Sequence, residues 1–119
     1  MTVIGVLALV VGVGIVGLWI VLLVTHQVPE IETGDRAIRF HITAEFLLGI
    51  TLIIGGSLLL LNGEEHSARI LASAALGGMV YSTVNSSGYY AAKASWPVVG
   101  AFIVLSVIGI LCIGILMLP

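Results

Sequence analysis

In this 119-residue chain, 60% of positions are hydrophobic and only 8% are charged, with a mean hydropathy of +1.26. Soluble domains carry about 25% charge, so this composition excludes a water-soluble globular fold. A net charge of −2 without any basic run gives a nucleic acid nothing to bind.

A bilayer core of roughly 30 Å takes about 20 apolar residues per helix. Four such helices with short loops use nearly the whole chain. The expectation is an all-α integral membrane protein, one domain over 1–119, folded as an antiparallel four-helix transmembrane bundle. The expected spans are about 3–24, 36–61, 64–87 and 96–117.

The first span lacks a basic n-region, and its apolar run exceeds the roughly 7–15 residues of a secretory signal, so a retained helix is expected. Ala8, Gly12, Gly14 and Gly17 offer small surfaces for close helix approach. The polar stretch THQVPEIETGDRA contains the breakers Pro29 and Gly34 and the acids Glu30, Glu32 and Asp35. Asp35 is suited to cap the second span, its carboxylate accepting from a free first-turn amide. Asn62-Gly63 ends that span, with Gly63 expected in the left-handed C′ conformation.

Glu64 and Glu65 open the third span, where negative charge suits a helix N-terminus. Glu65 and Arg69 are four apart and positioned to pair. Ala74, Gly78, Ser82 and Ser86 put small residues at every fourth position, which predicts a tight helix contact. Gly88 is the expected stop. Ser95-Trp96-Pro97 then signals the start of the fourth span, with a serine N-cap and proline in the first turn. Cys112, the only cysteine, lies inside that span, so no intrachain disulfide is possible. The spans pair naturally as two hairpins.

Polar chemistry collects at one end. RFHITAEF brings Arg39, His41 and Glu45 to the start of the second span, and YSTVNSSGYY brings Tyr81, Asn85 and Tyr89 to the end of the third. His41 and Glu45 are one turn apart on a face that continues through Gly49 and Gly56, which marks it as protein-facing. A carboxylate about 10–15 Å into the helix is costly unless it pairs, meets a wet cavity or takes up a proton. Three readings follow. Glu45 locks the bundle through Arg39, His41 or a hydroxyl of the third span, or handles a proton or ligand with His41, Tyr81, Asn85, Tyr89 and Arg39 around it, or sits at the interface facing solvent. Phenol and amide donors from Tyr81 and Asn85 would satisfy the carboxylate.

His26, His41 and Glu45 are weak candidates for a divalent metal, and the two histidines for haem. No Glu-x-x-His pair, H-E-x-x-H or C-x-x-C-H accompanies them, so no cofactor is expected. No serine lies in a G-x-S-x-G context and Cys112 has no base beside it, so no enzyme is expected either.

In size, span count and single embedded glutamate, the chain resembles the small multidrug resistance transporters in outline. That family carries its essential glutamate in the first helix, where this chain has no charge before His26, and its tyrosine- and tryptophan-containing motif is absent here. The chain is therefore not assigned to that family.

The functional expectation is a proton-linked transporter or small-ligand-binding protein centred on Glu45 and His41. The alternative is a non-catalytic accessory subunit of a larger membrane complex. The expected partners are the lipid bilayer and either further copies or a membrane subunit. Arg36, Arg39 and Lys93 against Arg69 put loops 25–37 and 88–95 in the cytoplasm and both termini outside.

Overall fold

The computed structural model describes residues 1–119. Helix α1 (Thr2–Val24) is followed by the single-turn α2 (Pro29–Glu32), then α3 (Arg36–Asn62), α4 (His66–Ala92) and α5 (Trp96–Leu116). The four long helices pack antiparallel. Three of them, α1, α3 and α5, are long and apolar enough to cross a membrane, which marks a multi-pass membrane protein. α4 matches α3 in length but is diluted by serines, Asn85 and three tyrosines.

The helices form two hairpins, α1 on α3 and α5 on α4, joined along the α3–α4 seam. Glycine sets the spacing in the first hairpin. A Cβ on Gly12 would lie 2.6 Å from the Gly49 carbonyl oxygen, and one on Gly56 would lie 2.6 Å from that of Gly5. Backbones this close gain dispersion contact along their length, the main attraction available between apolar helices in lipid. Gly14 and Gly17, also expected at this contact, face open space. In the second hairpin the buried hydroxyls of Thr83 and Ser106 hydrogen-bond at 2.7 Å, pinning α4 to α5 without an orphaned polar group.

The core occupies the end that holds both termini, where Ile4, Leu59, Ala68 and Leu116 meet below Leu52, Ala72, Leu76 and Cys112. Arg69 closes this end. Its Nε and Nη2 donate to the Leu116 carbonyl at 2.9 and 2.6 Å, and Nη2 also donates to that of Leu118. The expected Glu65–Arg69 pair is absent, because the unpaired carbonyls at the end of α5 use the guanidinium better than an exposed carboxylate does.

Several local expectations change. α4 begins at His66, with Glu65 as its N-cap, and runs through Gly88 to Ala92. The residues after Gly88 (YYAA) contain no proline, so continuing the backbone bonds outweighs the roughly 1 kcal/mol that an interior glycine costs. Gly63 has φ −60°, not left-handed. It is required instead by space, since a Cβ would lie 2.8 Å from the Leu59 oxygen and 3.1 Å from Met1 Cβ. The left-handed positions are His26, Gly34 and Ala94, all in the opposite loops. Asp35 caps α3 as expected, accepting from the Ala37 amide at 2.9 Å. Ser95 stands at the N-cap of α5 but makes no side-chain capping bond. The small face of α4 lies beside the expected one: Ala68, Ala72, Ala75 and Met79 are buried, Ala74 is exposed, and Gly78 approaches only Leu48 Cδ1. α4 sits between α3 and α5, so its buried stripe is centred on the bisector of its two neighbours.

Candidate functional site

Toward the loop end the hairpins separate. α1 and α5 do not pack against each other, and the space between them is a cavity of about 750 Å³. Ile15, Met79 and Leu105 give it an apolar interior, while His41, Glu45, Ser82 and Asn85 line it from the α3–α4 seam. The sequence dictates this asymmetry. Glycine and alanine draw the helices together at the terminal end, whereas Trp19, Tyr89, Tyr90 and Phe102 hold them apart here.

Glu45 lies on the seam, half-buried, and Ser82 Oγ donates to its Oε1 at 2.5 Å. This lies at the short end of hydroxyl–oxygen hydrogen bonds. No cation accompanies it. Arg39 is exposed and makes no ion pair, and the one contact between ionisable partners within 4 Å is that of His26 Nδ1 with Glu32 Oε1 at 3.9 Å, both exposed. His41, one turn before Glu45, meets the Trp19 ring edge-on with centroids 5.8 Å apart. That contact carries α3 to α1 and fixes the imidazole on the cavity wall.

A second cavity of about 190 Å³ lies on the other side of the seam. Ala44, Leu48, Gly78 and Tyr81 line it, and it shares His41, Glu45, Ser82 and Asn85 with the larger one. The Glu45–Ser82 bond therefore separates two spaces. Tyr81 belongs to the outer space, 73% exposed, and donates nothing to Glu45. Asn85 borders both spaces without a hydrogen bond to the carboxylate. The expected Tyr81 and Asn85 donors thus give way to Ser82, one of the third-span hydroxyls also expected as a partner, which lies directly across the seam.

At the mouth, Val28 is buried and leads α2 along one lip, where Glu30 and Asp35 also face the cavity. Lys93 stands on the other lip. Its Nζ donates to Tyr89 Oη at 2.5 Å and lies 4.3 Å from the ring centroid. The Tyr89 hydrogen bond raises the Lys93 pKa above its ordinary 10.5, with desolvation opposing and the charges of Tyr89, Glu30 and Tyr90 adding to the rise. Tyr89 meets Tyr90 edge-on at 5.2 Å, and Tyr90 stacks on Phe102 at 5.8 Å. Tyr89 therefore belongs to an aromatic wall rather than to the shell of Glu45.

No three His, Cys, Asp or Glu side chains converge on one point. The metal and haem candidates separate accordingly: His26 turns to Glu32 in its own loop, while His41 and Glu45 stay on α3. Sequence reasoning missed Trp19 and the pairing of Tyr90 with Phe102. The one available signal was Trp19 itself, an indole near the end of an otherwise aliphatic helix, at the depth of the polar end.

Residues 1–118 match the model of a family described as a domain of unknown function, DUF8058. No curated protein and no solved structure matches the chain.

Proposed function

The chain belongs to the DUF8058 family, and we propose that within it this protein is a four-span bundle whose working site is the loop-end cavity, with Glu45 as the centre that takes up a proton or a ligand. The observation carrying this reading is the state of Glu45. It is a half-buried carboxylate with one hydroxyl donor, no cation and a large cavity on its open side. A carboxylate kept at membrane depth without a counter-ion is expensive unless water, a proton or a ligand completes it. In this reading α4 crosses the bilayer with the other three helices, with Ser82, Thr83, Asn85 and Ser86 turned to the cavity. The excess of Arg36, Arg39 and Lys93 over Arg69 puts the cavity mouth on the cytoplasmic side. The reading is of a binding site, since Glu45 accepts from Ser82 but has no third group to orient it, so the nucleophile–base–orienter set of a hydrolase is incomplete.

The test is covalent. Dicyclohexylcarbodiimide adds to protonated carboxyls in apolar surroundings, and the adduct is located by peptide mass spectrometry. On the reconstituted protein at pH 6 we expect the adduct on Glu45, and none on Glu30, Glu32 or Asp35. An unlabelled Glu45, in a protein that is equally stable as Glu45→Gln, would favour a purely structural bond to Ser82.

A second reading, an accessory subunit or an oligomer, has its own observation. Ile70, Ala74, Gly77, Tyr81, Val84 and Gly88 recur at alternating four- and three-residue spacing along α4, and all six are exposed. Such spacing suits a packed helix seam. The face belongs to the least apolar of the four long helices, so another copy or a membrane subunit would cover it better than lipid. Gly77→Cys would form a disulfide-linked dimer in native membranes if copies meet there, and would stay monomeric if they do not.

A further inference from the structure

We propose that the outer face of α3 docks an anionic phospholipid, its phosphodiester held by Arg36 and Arg39 and its acyl chains laid along Phe40, Leu47, Ile50 and Ile54. The proposal is independent of Glu45 and stands whether or not that carboxylate titrates. It rests on how charge is divided at the loop end and on what continues below the two arginines.

Arg36 and Arg39 are three residues apart in the first turns of α3, both exposed, and neither has a carboxylate within 4 Å. The acids of this end are turned elsewhere. Glu30, Asp35 and Glu45 line the cavity, and Glu32 lies beside His26. Lys93, the remaining cation of this end, is engaged by Tyr89. A chain of net charge −2 therefore carries an uncompensated pair of guanidinium groups on its outer surface. Guanidinium matches a phosphate in a bidentate way, and basic residues beside a membrane span attract anionic headgroups.

Below the arginines the same face turns apolar. Phe40, Leu47, Ile50 and Ile54 follow at helical spacing and are all exposed, because α1 and α4 pack on the other faces of α3. The Thr43 hydroxyl on this face donates to the Arg39 carbonyl at 2.8 Å, so it offers hydrocarbon no unpaired donor. A cationic pair above an apolar strip has the polarity of one phospholipid, head above chains. A second copy fits this face poorly. A two-fold axis would set Arg36 and Arg39 against the same arginines, and the strip lacks the small residues that let helices approach closely.

Local quenching by lipids with brominated chains tests this in Trp19→Phe/Trp96→Phe protein carrying one new indole. Phe40→Trp reports on the proposed face, and Ile103→Trp on the exposed face of α5 serves as reference. Bilayers mix phosphatidylglycerol and phosphatidylcholine of identical chains, with either one brominated. At Phe40→Trp phosphatidylglycerol should be preferred at least about fivefold, the effect of one arginine at an anionic surface. At Ile103→Trp the preference should be close to one. Adding Arg36→Gln and Arg39→Gln, with folding shown by the thermal transition, should abolish it. Salt at about 1 M, where charges are screened beyond about 3 Å, should lower it without any further substitution.

Equal preference at the two reporters, or a preference that survives both charge removal and salt, would overturn the proposal. So would an indole at Phe40→Trp that neither lipid quenches, since protein would then cover the face.

Discussion

Replacing Gly56 by alanine adds one methyl at one of the two closest backbone approaches between α1 and α3. The new Cβ would lie 2.6 Å from the Gly5 oxygen, 2.8 Å from the Leu9 nitrogen and 3.2 Å from Ala8 Cβ. The first two are backbone atoms of α1, so no rotamer change relieves the clash and α1 must move as a unit. Overpacking of this kind costs about 1–3 kcal/mol. Alanine in place of glycine in a helix returns up to about 1 kcal/mol. The net expectation for Gly56→Ala is a loss of about 0–2 kcal/mol. Gly14→Ala is the reference, because nothing lies within 4 Å of its Cβ and only the propensity gain remains. Gly78→Ala should fall between them, since its Cβ meets only the movable Cδ1 of Leu48 at 2.9 Å. Thermal unfolding in one detergent, followed by helix content, gives the order Gly14→Ala, Gly78→Ala, Gly56→Ala from most to least stable. Equal stability of Gly56→Ala and Gly14→Ala would refute the glycine-spaced α1–α3 contact.

Three further outcomes are expected. Ser82→Ala should destabilise the protein by about 1–3 kcal/mol, the scale of leaving a partly buried acceptor without its donor, as read by thermal unfolding. Arg69→Met keeps an apolar stem but leaves the Leu116 carbonyl unpaired, so it should cost about 1–2 kcal/mol and speed hydrogen exchange in the last turn of α5. Lys93 is the only lysine, and its raised pKa means that its contribution to stability is complete below 10.5 and is lost as pH climbs through the folded value. Tyr89→Phe should bring its NMR titration midpoint down toward 10.5, whereas an unchanged midpoint would remove Tyr89 as the cause.

The helices were legible because composition and length decide them. Long apolar runs bounded by Asp35, the Asn62–Glu65 turn and Ser95 admit few other arrangements, and the hairpin pairing follows from short loops. The site was half legible. Glu45 and His41 announce themselves as ionisable groups one turn apart in an apolar context, and the polar end of α4 had to meet them. The identity of the donor depended on rotation of α4 about its axis. The sequence period leaves that rotation open when Ser82, Ser86, Tyr81 and Asn85 surround the helix with donors. Ser82 wins because α4 packs on α3 and α5 together, which turns Tyr81 outward. Arg69 escaped its local partner for a similar reason. A contact 47 residues away in sequence leaves no trace in an i,i+4 pattern.

Under the proposed function Glu45 exchanges protons with the cavity rather than serving only as an acceptor for Ser82. Infrared difference spectra between pH 8 and pH 5, recorded on wild type and Glu45→Gln in the same lipid, address it directly. The expected result is a carboxylic-acid C=O band that grows on acidification, shifts within minutes in D₂O through the open cavity, and is missing from Glu45→Gln. Identical difference spectra for the two proteins would mean that Glu45 does not change its protonation between pH 8 and pH 5. Together with unimpaired stability of the Gln variant, that result would leave the Glu45–Ser82 bond a structural tie between α3 and α4.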